Sequence, residues 1–295
     1  MSGEPAIQRL TIIGVGLIGG SLGRALKSVG YCREVVGAGR SRERLAIAAN
    51  LGVVDRIETD LACAVEGADV VLLAVPLGAM GPLLATIAPY VSGRTILTDA
   101  GSAKGCVVEA VRAAFGQVPR RFVPGHPIAG TENSGVEASF ATLFQGRRVI
   151  LTPLAETELE ARDRIARMWE AAGAIVEDMG VRHHDEVLAA TSHLPHLLAY
   201  SLVNTLACMD DRAEIFRFAA GGFRDFTRIA SSDPQMWHDI CVANRGPLME
   251  ALNAFNHDLG ALAEAVSCGD SETVLELFGR AKFARDNLYH DRQDG

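Results

Sequence analysis

The sequence predicts an α/β N-terminal domain, built as a doubly wound parallel sheet, followed by an all-α C-terminal domain. Three observations carry this. Short apolar runs alternate with amphipathic helical stretches through the first half. Those runs lack polar alternation, which marks strands buried on both faces. Near Val181 strand-like runs stop, and helical periodicity continues to the C-terminus.

In chain order, strands are expected at residues 10–13, 34–37, 70–74 and 95–98, with helices opening after Gly16, Ser41, Leu77 and Ser102. Strand–helix–strand alternation of this kind builds a doubly wound sheet. Two more strands, 148–152 and 174–176, flank a helix near 156–172 and are expected to extend the same sheet. Long helical segments then cover about 184–207, 234–266 and 271–287. The expected division is a dinucleotide-binding domain over 1–180 and a helical domain over 181–295.

The chain has 295 residues, 48% of them hydrophobic, enough for a substantial core. The formal net charge is −8 without a run of like charges, which argues against nucleic acid or anionic membrane as partners. No apolar run reaches the ~20 residues of a membrane span. Cys32, Cys63, Cys106, Cys208, Cys241 and Cys268 are scattered, a pattern of reduced thiols rather than of disulfides or a zinc site. A short polar leader runs straight into a strand and does not read as a signal peptide. A cytoplasmic protein is expected.

The segment LTIIGVGLIGGSLGRAL places Gly14, Gly16 and Gly19 in G-x-G-x-x-G spacing between a strand and a helix, with Leu17 and Ile18 inside the turn. Gly14 permits the tight turn, Gly16 lets backbone approach a pyrophosphate, and Gly19 lets the helix pack on the strand. The free N–H groups at the helix start attract phosphate. This is a Rossmann-type dinucleotide site. At the end of the second strand, where an acidic residue would bind the ribose hydroxyls of NAD, the chain has Arg40, Ser41 and Arg42. A guanidinium beside a hydroxyl suits a 2′-phosphate, so NADP is favoured over NAD. Ala74, Val75 and Pro76 are expected to form the loop against the nicotinamide half.

Four further motifs follow: DAGSAKG (99–105), GHPIAGTENSGVEAS (125–139), HHDEVLAATSHLPH (183–196) and GGFRDFTRIASSDPQMW (221–237). The first two follow strands, at the carboxyl end of the sheet where open α/β folds bind ligands. In this order behind the glycine fingerprint, the motifs resemble the prephenate/arogenate dehydrogenases, also called cyclohexadienyl dehydrogenases. The resemblance spans about residues 10–287, and HPIAGTE and SHLPH are its most specific strings.

The resemblance implies oxidative decarboxylation of prephenate or arogenate with hydride transfer to NADP or NAD. His126 matches the catalytic histidine, although by itself it also reads as a structural residue in a Pro/Gly turn. Ser102 matches a serine bridging substrate and nicotinamide; it would equally serve as an N-cap for a helix beginning at Ala103. Arg228 matches a carboxylate-binding arginine, with Asp225 and Glu132 in an ion network around it. Thr131 and Trp237 match pocket residues, Trp237 being equally readable as core. His196 matches a substrate-side hydrogen-bonding group, and His184 and His193 match other family histidines. The three histidines do not read as a metal site, because Pro195 intervenes and no carboxylate falls at a zincin spacing. The resemblance further implies a homodimer built by the helical domain and tyrosine as a product; tyrosine as an inhibitor is an expectation from the shape that product and substrate share. Two alternatives fit the glycine fingerprint alone: a related hydroxy-acid or imino-acid dehydrogenase, and a non-catalytic NADP-binding redox sensor.

Overall fold

The computed structural model describes residues 5–288. The first half runs β1 (Ile7–Ile13), α1 (Leu17–Ser28), β2 (Cys32–Ala38), α2 (Arg42–Asn50), β3 (Arg56–Glu58), α3 (Leu61–Val65), β4 (Val70–Leu73), α4 (Leu77–Ile87), β5 (Ile96–Asp99), α5 (Gly105–Phe115) and β6 (Phe122–Val123). These strands form one parallel sheet in the spatial order β3-β2-β1-β4-β5-β6. The order reverses between β1 and β4, the crevice where doubly wound sheets bind dinucleotides.

The unbroken apolar runs have a plain cause. In β4, Val70 and Leu72 enter one hydrophobic cluster with Leu22 and Leu26 of α1. Val71 and Leu73 enter the opposite cluster with Leu84 of α4 and Val107 of α5. Successive side chains of a strand point to opposite faces, so a strand covered on both sides must be apolar throughout.

Next come β7 (Gly125–Pro127), β8 (Arg148–Leu151), α6 (Leu159–Ala171) and β9 (Ile175–Asp178). The expectation that the last two strands extend the first sheet needs correction. They form a second sheet in the order β7-β8-β9, with β7 antiparallel to β8. Pro124, which cannot donate to a strand ladder, lies between β6 and β7 and coincides with the change of sheet. Strands β3, β6 and β7 have three residues or fewer, too short for a sequence period to reveal.

Gly180 caps α7 (Val181–Leu188), and every later element is helical. A π-helical turn, Ala189–His193, joins α7 to α8 (Leu194–Ala207). Two short helices that the sequence pattern did not reveal follow, α9 (Arg212–Arg217) and α10 (Gly221–Thr227), then α11 (Pro234–Ala243). The expected 234–266 helix is interrupted at Asn244, which divides α11 from α12 (Arg245–Cys268); α13 (Ser271–Leu288) comes last. The chain divides after Arg245 into two compact units. The second holds α12 and α13, which leave Met249, Leu259, Val266, Leu275, Phe278 and Phe283 exposed. Among the described residues no helix is long and apolar enough to cross a membrane.

Candidate active site

The carboxyl ends of β1, β2 and β4 meet at the glycine turn. Gly14 N–H donates to the Ala38 carbonyl at 3.0 Å, and Ala74 N–H donates to the Ile13 carbonyl at 2.8 Å. Gly14 has φ +95°, and a Cβ there would collide with the Ala74 carbonyl oxygen. A Cβ at Gly19 would strike the Gly14 carbonyl, whereas Gly16 has open space beside it. No side chain caps α1 at Gly16, so its first turn, with Leu17 and Ile18, presents backbone N–H groups to a ligand. The loop of Ala74, Val75 and Pro76 leads from β4 into α4 beside this turn. This cradle fits a dinucleotide pyrophosphate. Arg40 and Arg42 are exposed at the end of β2, and Ser41 caps α2 by accepting from Arg44 N–H at 3.3 Å.

His126, on β7, heads a chain of hydrogen bonds. Its Nδ1 lies 2.9 Å from His184 Nε2, and His184 Nδ1 lies 2.9 Å from Asp185 Oδ1. Burial pushes the His126 imidazole well below the ordinary histidine pKa, helped by His184, Lys104 and His193. The uncharged form of the ring, with a lone pair open to a proton donor, is therefore favoured. His184 is fully buried, with both ring nitrogens engaged inside the protein. It stands between His126 and Asp185 in this chain of hydrogen bonds.

Ser102 does not cap the following helix. That helix begins at Gly105, not Ala103, and the carboxylate of Asp185 takes its first N–H groups, Lys104 and Gly105, each at 2.8 Å. The Ser102 hydroxyl, half-buried, has no hydrogen-bond partner among the described residues.

A second group of residues gathers on the helical side. The rings of His196 and Trp237 stack at 3.5 Å. His193 meets the same indole edge-on at 6.2 Å. His196 Nδ1 donates to the Ser192 carbonyl at 2.8 Å, which leaves Nε2 as an acceptor. Burial lowers its pKa, the Ser192 bond opposes this, and Arg228 adds to the lowering. Arg228 follows α10 and pairs with Glu132 at 3.7 Å, both partly exposed. Thr131 is exposed, its hydroxyl accepting from Asn133 N–H at 3.2 Å. Asp225 is exposed and has no ion-pair partner among the described residues, so the structure brings Arg228 to Glu132 but not to Asp225. Trp237 is buried, and its Nε1 and the Nε2 of His193 have no hydrogen-bond partner among the described residues. Among the described residues no group of three or more His, Cys, Asp or Glu side chains is placed to hold a metal ion.

The chain matches two family models, "Prephenate dehydrogenase, nucleotide-binding domain" over residues 22–178 and "Prephenate dehydrogenase, dimerization domain" over 181–280. It is 41% identical over 291 residues to a cyclohexadienyl dehydrogenase of Zymomonas mobilis, covering 96% of this chain and 97% of that one. The chain belongs to the prephenate dehydrogenase family. A crystal structure of the Aquifex aeolicus prephenate dehydrogenase, in complex with hydroxyphenyl propionate and NAD+, superposes with a TM-score of 0.89 at 36% identity, covering 97% of this chain and 100% of that one. The Synechocystis arogenate dehydrogenase superposes with a TM-score of 0.80 at 25% identity, covering 95% and 100%. As a prephenate dehydrogenase family member with a nucleotide-binding domain, the chain is an NAD(P)-dependent dehydrogenase.

Sequence reasoning missed several residues that build this prephenate dehydrogenase site. Lys104 and Asp99 are fully buried and form an ion pair. Lys104 Nζ donates to the Gly125 carbonyl at 2.7 Å, and Asp99 Oδ1 accepts from Gly125 N–H at 3.2 Å. Together they fix both backbone groups of the residue before His126. Lys104 and Asp185 stand inside motifs already singled out, and for Lys104 a charge between the small residues Ala103 and Gly105 was a usable signal. Asn244 gave none. Its amide donates to the Asp185 carbonyl at 2.8 Å and to His193 Nδ1 at 3.0 Å. His193 must then carry its proton on Nε2.

A pH dependence of stability follows. Burial lowers the His193 pKa from 6.5 to about 4; Asp185 opposes this, and His184 and His196 add to it. Between those values the unfolded chain binds the extra proton and the folded one does not. Stability is therefore undiminished above pH 6.5 and falls as pH drops toward 4. By pH 4 this ring costs about 3 kcal/mol, and His126 acts in the same direction. Urea unfolding at a series of pH values measures the slope. A flat profile would mean that these rings are protonated or hydrated in the folded state.

Proposed function

We propose that the chain catalyses oxidative decarboxylation of prephenate, arogenate or both, in tyrosine biosynthesis. The observation that carries this is the His126 imidazole, neutral and buried, with Nε2 free of any protein partner among the described residues. The bound nicotinamide supplies the hydride acceptor. His126 Nε2 accepts the hydrogen bond of the ring carbinol and takes its proton as hydride leaves. The unpartnered Ser102 hydroxyl orients the same oxygen. Loss of CO2 then makes the ring aromatic, so the protein chiefly aligns the carbinol and keeps water from it.

Arg228 suits the side-chain carboxylate, because its fork can bind an acid bidentately and its partner Glu132 is at the surface. His196 Nε2 accepts from the substrate, with the Trp237 indole stacked against the His196 ring. Thr131 and Asp225 would line the entrance. Arg40, Arg42 and the Ser41 hydroxyl favour NADP, through its 2′-phosphate.

The domain reading keeps 1–180 as nucleotide-binding and 181–295 as substrate-binding and dimerising. It is supported by the change to helices at α7 and by family models that meet there. The exposed apolar side chains of α12 and α13 support a homodimer. Tyrosine, shaped like the substrate, would compete for the pocket. Free cysteines suit the cytoplasm. The two alternatives raised from the glycine fingerprint are not favoured, since family models cover both halves of the chain.

The test is turnover with prephenate and with arogenate, each with NADP and with NAD, followed by reduced-cofactor absorbance. Turnover with a higher kcat/KM for NADP is expected. No turnover with any pair would sink the reading.

A further inference from the structure

The hydrogen-bond chain behind His126 has only one consistent proton arrangement. Asp185 is a carboxylate. Burial raises its pKa, but the His184 ring and the Lys104 and Gly105 N–H groups outweigh burial and hold it low. Its Oδ1 can only accept, so His184 Nδ1 carries a proton. His184 Nε2 is then the lone-pair nitrogen, and His126 Nδ1 must donate to it. The lone pair of His126 is left on Nε2, the nitrogen without a partner among the described residues. A carboxylate two links away thus sets the tautomer of the base.

The same chain bears on where charge goes once His126 takes a proton. His126 is buried, and Lys104, with its partner Asp99, and His193 also face it. An imidazolium at that ring is opposed by burial and by the Lys104 ammonium. One ring further back it would sit 2.9 Å from the Asp185 carboxylate. At low dielectric, contact with an opposite charge decides between the two rings.

We propose that His184 and Asp185 form a proton store behind His126, holding the carbinol proton while hydride leaves and returning it to the same oxygen on aromatisation. This rests on the function proposed above. In the forward step the substrate O–H bond breaks, and its proton bonds to His126 Nε2. The His126 Nδ1–H bond breaks, and that proton bonds to His184 Nε2. The O–H electron pair becomes the carbonyl bond as the C–H pair departs as hydride. His126 ends neutral, and His184 is an imidazolium against Asp185. When CO2 leaves, its C–C electron pair moves through the ring onto the carbonyl oxygen. That oxygen takes the proton back from His126 Nε2, and the inner transfer reverses, His184 Nε2 returning its proton to His126 Nδ1. No proton reaches solvent, so the buried chain needs no exit. His184 and Asp185 are positioning residues that act through His126.

His184→Gln separates storage from mere support. A glutamine amide oxygen still accepts from His126 Nδ1 but cannot take a proton. The measurement is the single-turnover rate of hydride transfer in mixtures of H2O and D2O, using the full chain with its preferred substrate and cofactor. Dinucleotide affinity and thermal unfolding are measured alongside. In the wild type the rate should curve with deuterium fraction, because two protons move together. His184→Gln should make the plot linear and slow the step by roughly 10–100-fold, with dinucleotide affinity unchanged. A linear wild-type plot overturns the proposal without any variant, even if the variant does not fold. A variant rate within about threefold of wild type, with curvature kept, overturns it as well. Loss of activity in His126→Asn alongside an unimpaired His184→Gln defeats the store alone. An unimpaired His126→Asn defeats the underlying reading too.

Discussion

His126→Asn is expected to lower kcat by ~10²-fold or more while dinucleotide binding survives. Asparagine retains an amide N–H near the place of Nδ1, so the bond to His184 can persist. What it removes is Nε2, the ring atom without a protein partner. The dinucleotide cradle is made by Gly14, Gly16, Gly19 and the 74–76 loop, none of which changes. The loss should therefore fall on kcat, measured at saturating cofactor, and a fluorescence titration should give wild-type affinity. Unchanged turnover would make His126 a structural residue of the turn around Pro127.

Lys104→Ala is expected to cost about 3–5 kcal/mol of folding stability, because it strands Asp99 as an unpaired buried charge. The Gly125 carbonyl also loses its Lys104 donor. An apolar replacement of both partners offers no escape here. Asp99 also accepts from the N–H groups of Gly101 and Gly125, and those would be orphaned in turn. For a chain of this size the shift in Tm is on the order of 10 °C. Thermal and urea unfolding check it; a loss under about 1 kcal/mol would mean that solvent reaches Asp99.

The parallel sheet was legible because its physics is local. Strand β4 is covered on both faces and is apolar along its length, and the inner residues of β1 and β2 (Leu10, Ile12, Ile13, Val35, Val36) are buried in the same way. The dinucleotide site was legible because Gly14 answers to a backbone demand that sequence records directly. The rest of the site depends on distance in space. Nothing near Ser102 announces that its neighbouring helix is capped by Asp185, some 80 residues on. Nothing in the sequence around Asn244 shows that its amide fixes the tautomer of His193. The second sheet was misjudged for a related reason: β7 has three residues, and pairing partners are not written in so short a run.

The π turn of Ala189–His193 stands between the two working ends of one continuous helical run. Upstream lie His184 and Asp185, committed to His126; downstream lies His196, committed to Trp237. Each residue of a helix advances the azimuth by about 100°. Shortening this turn by one residue would leave both halves helical yet swing everything downstream out of phase with everything upstream. The widened turn is thus a spacer with a single permitted length, and natural length variation should accumulate in the chain's surface loops instead.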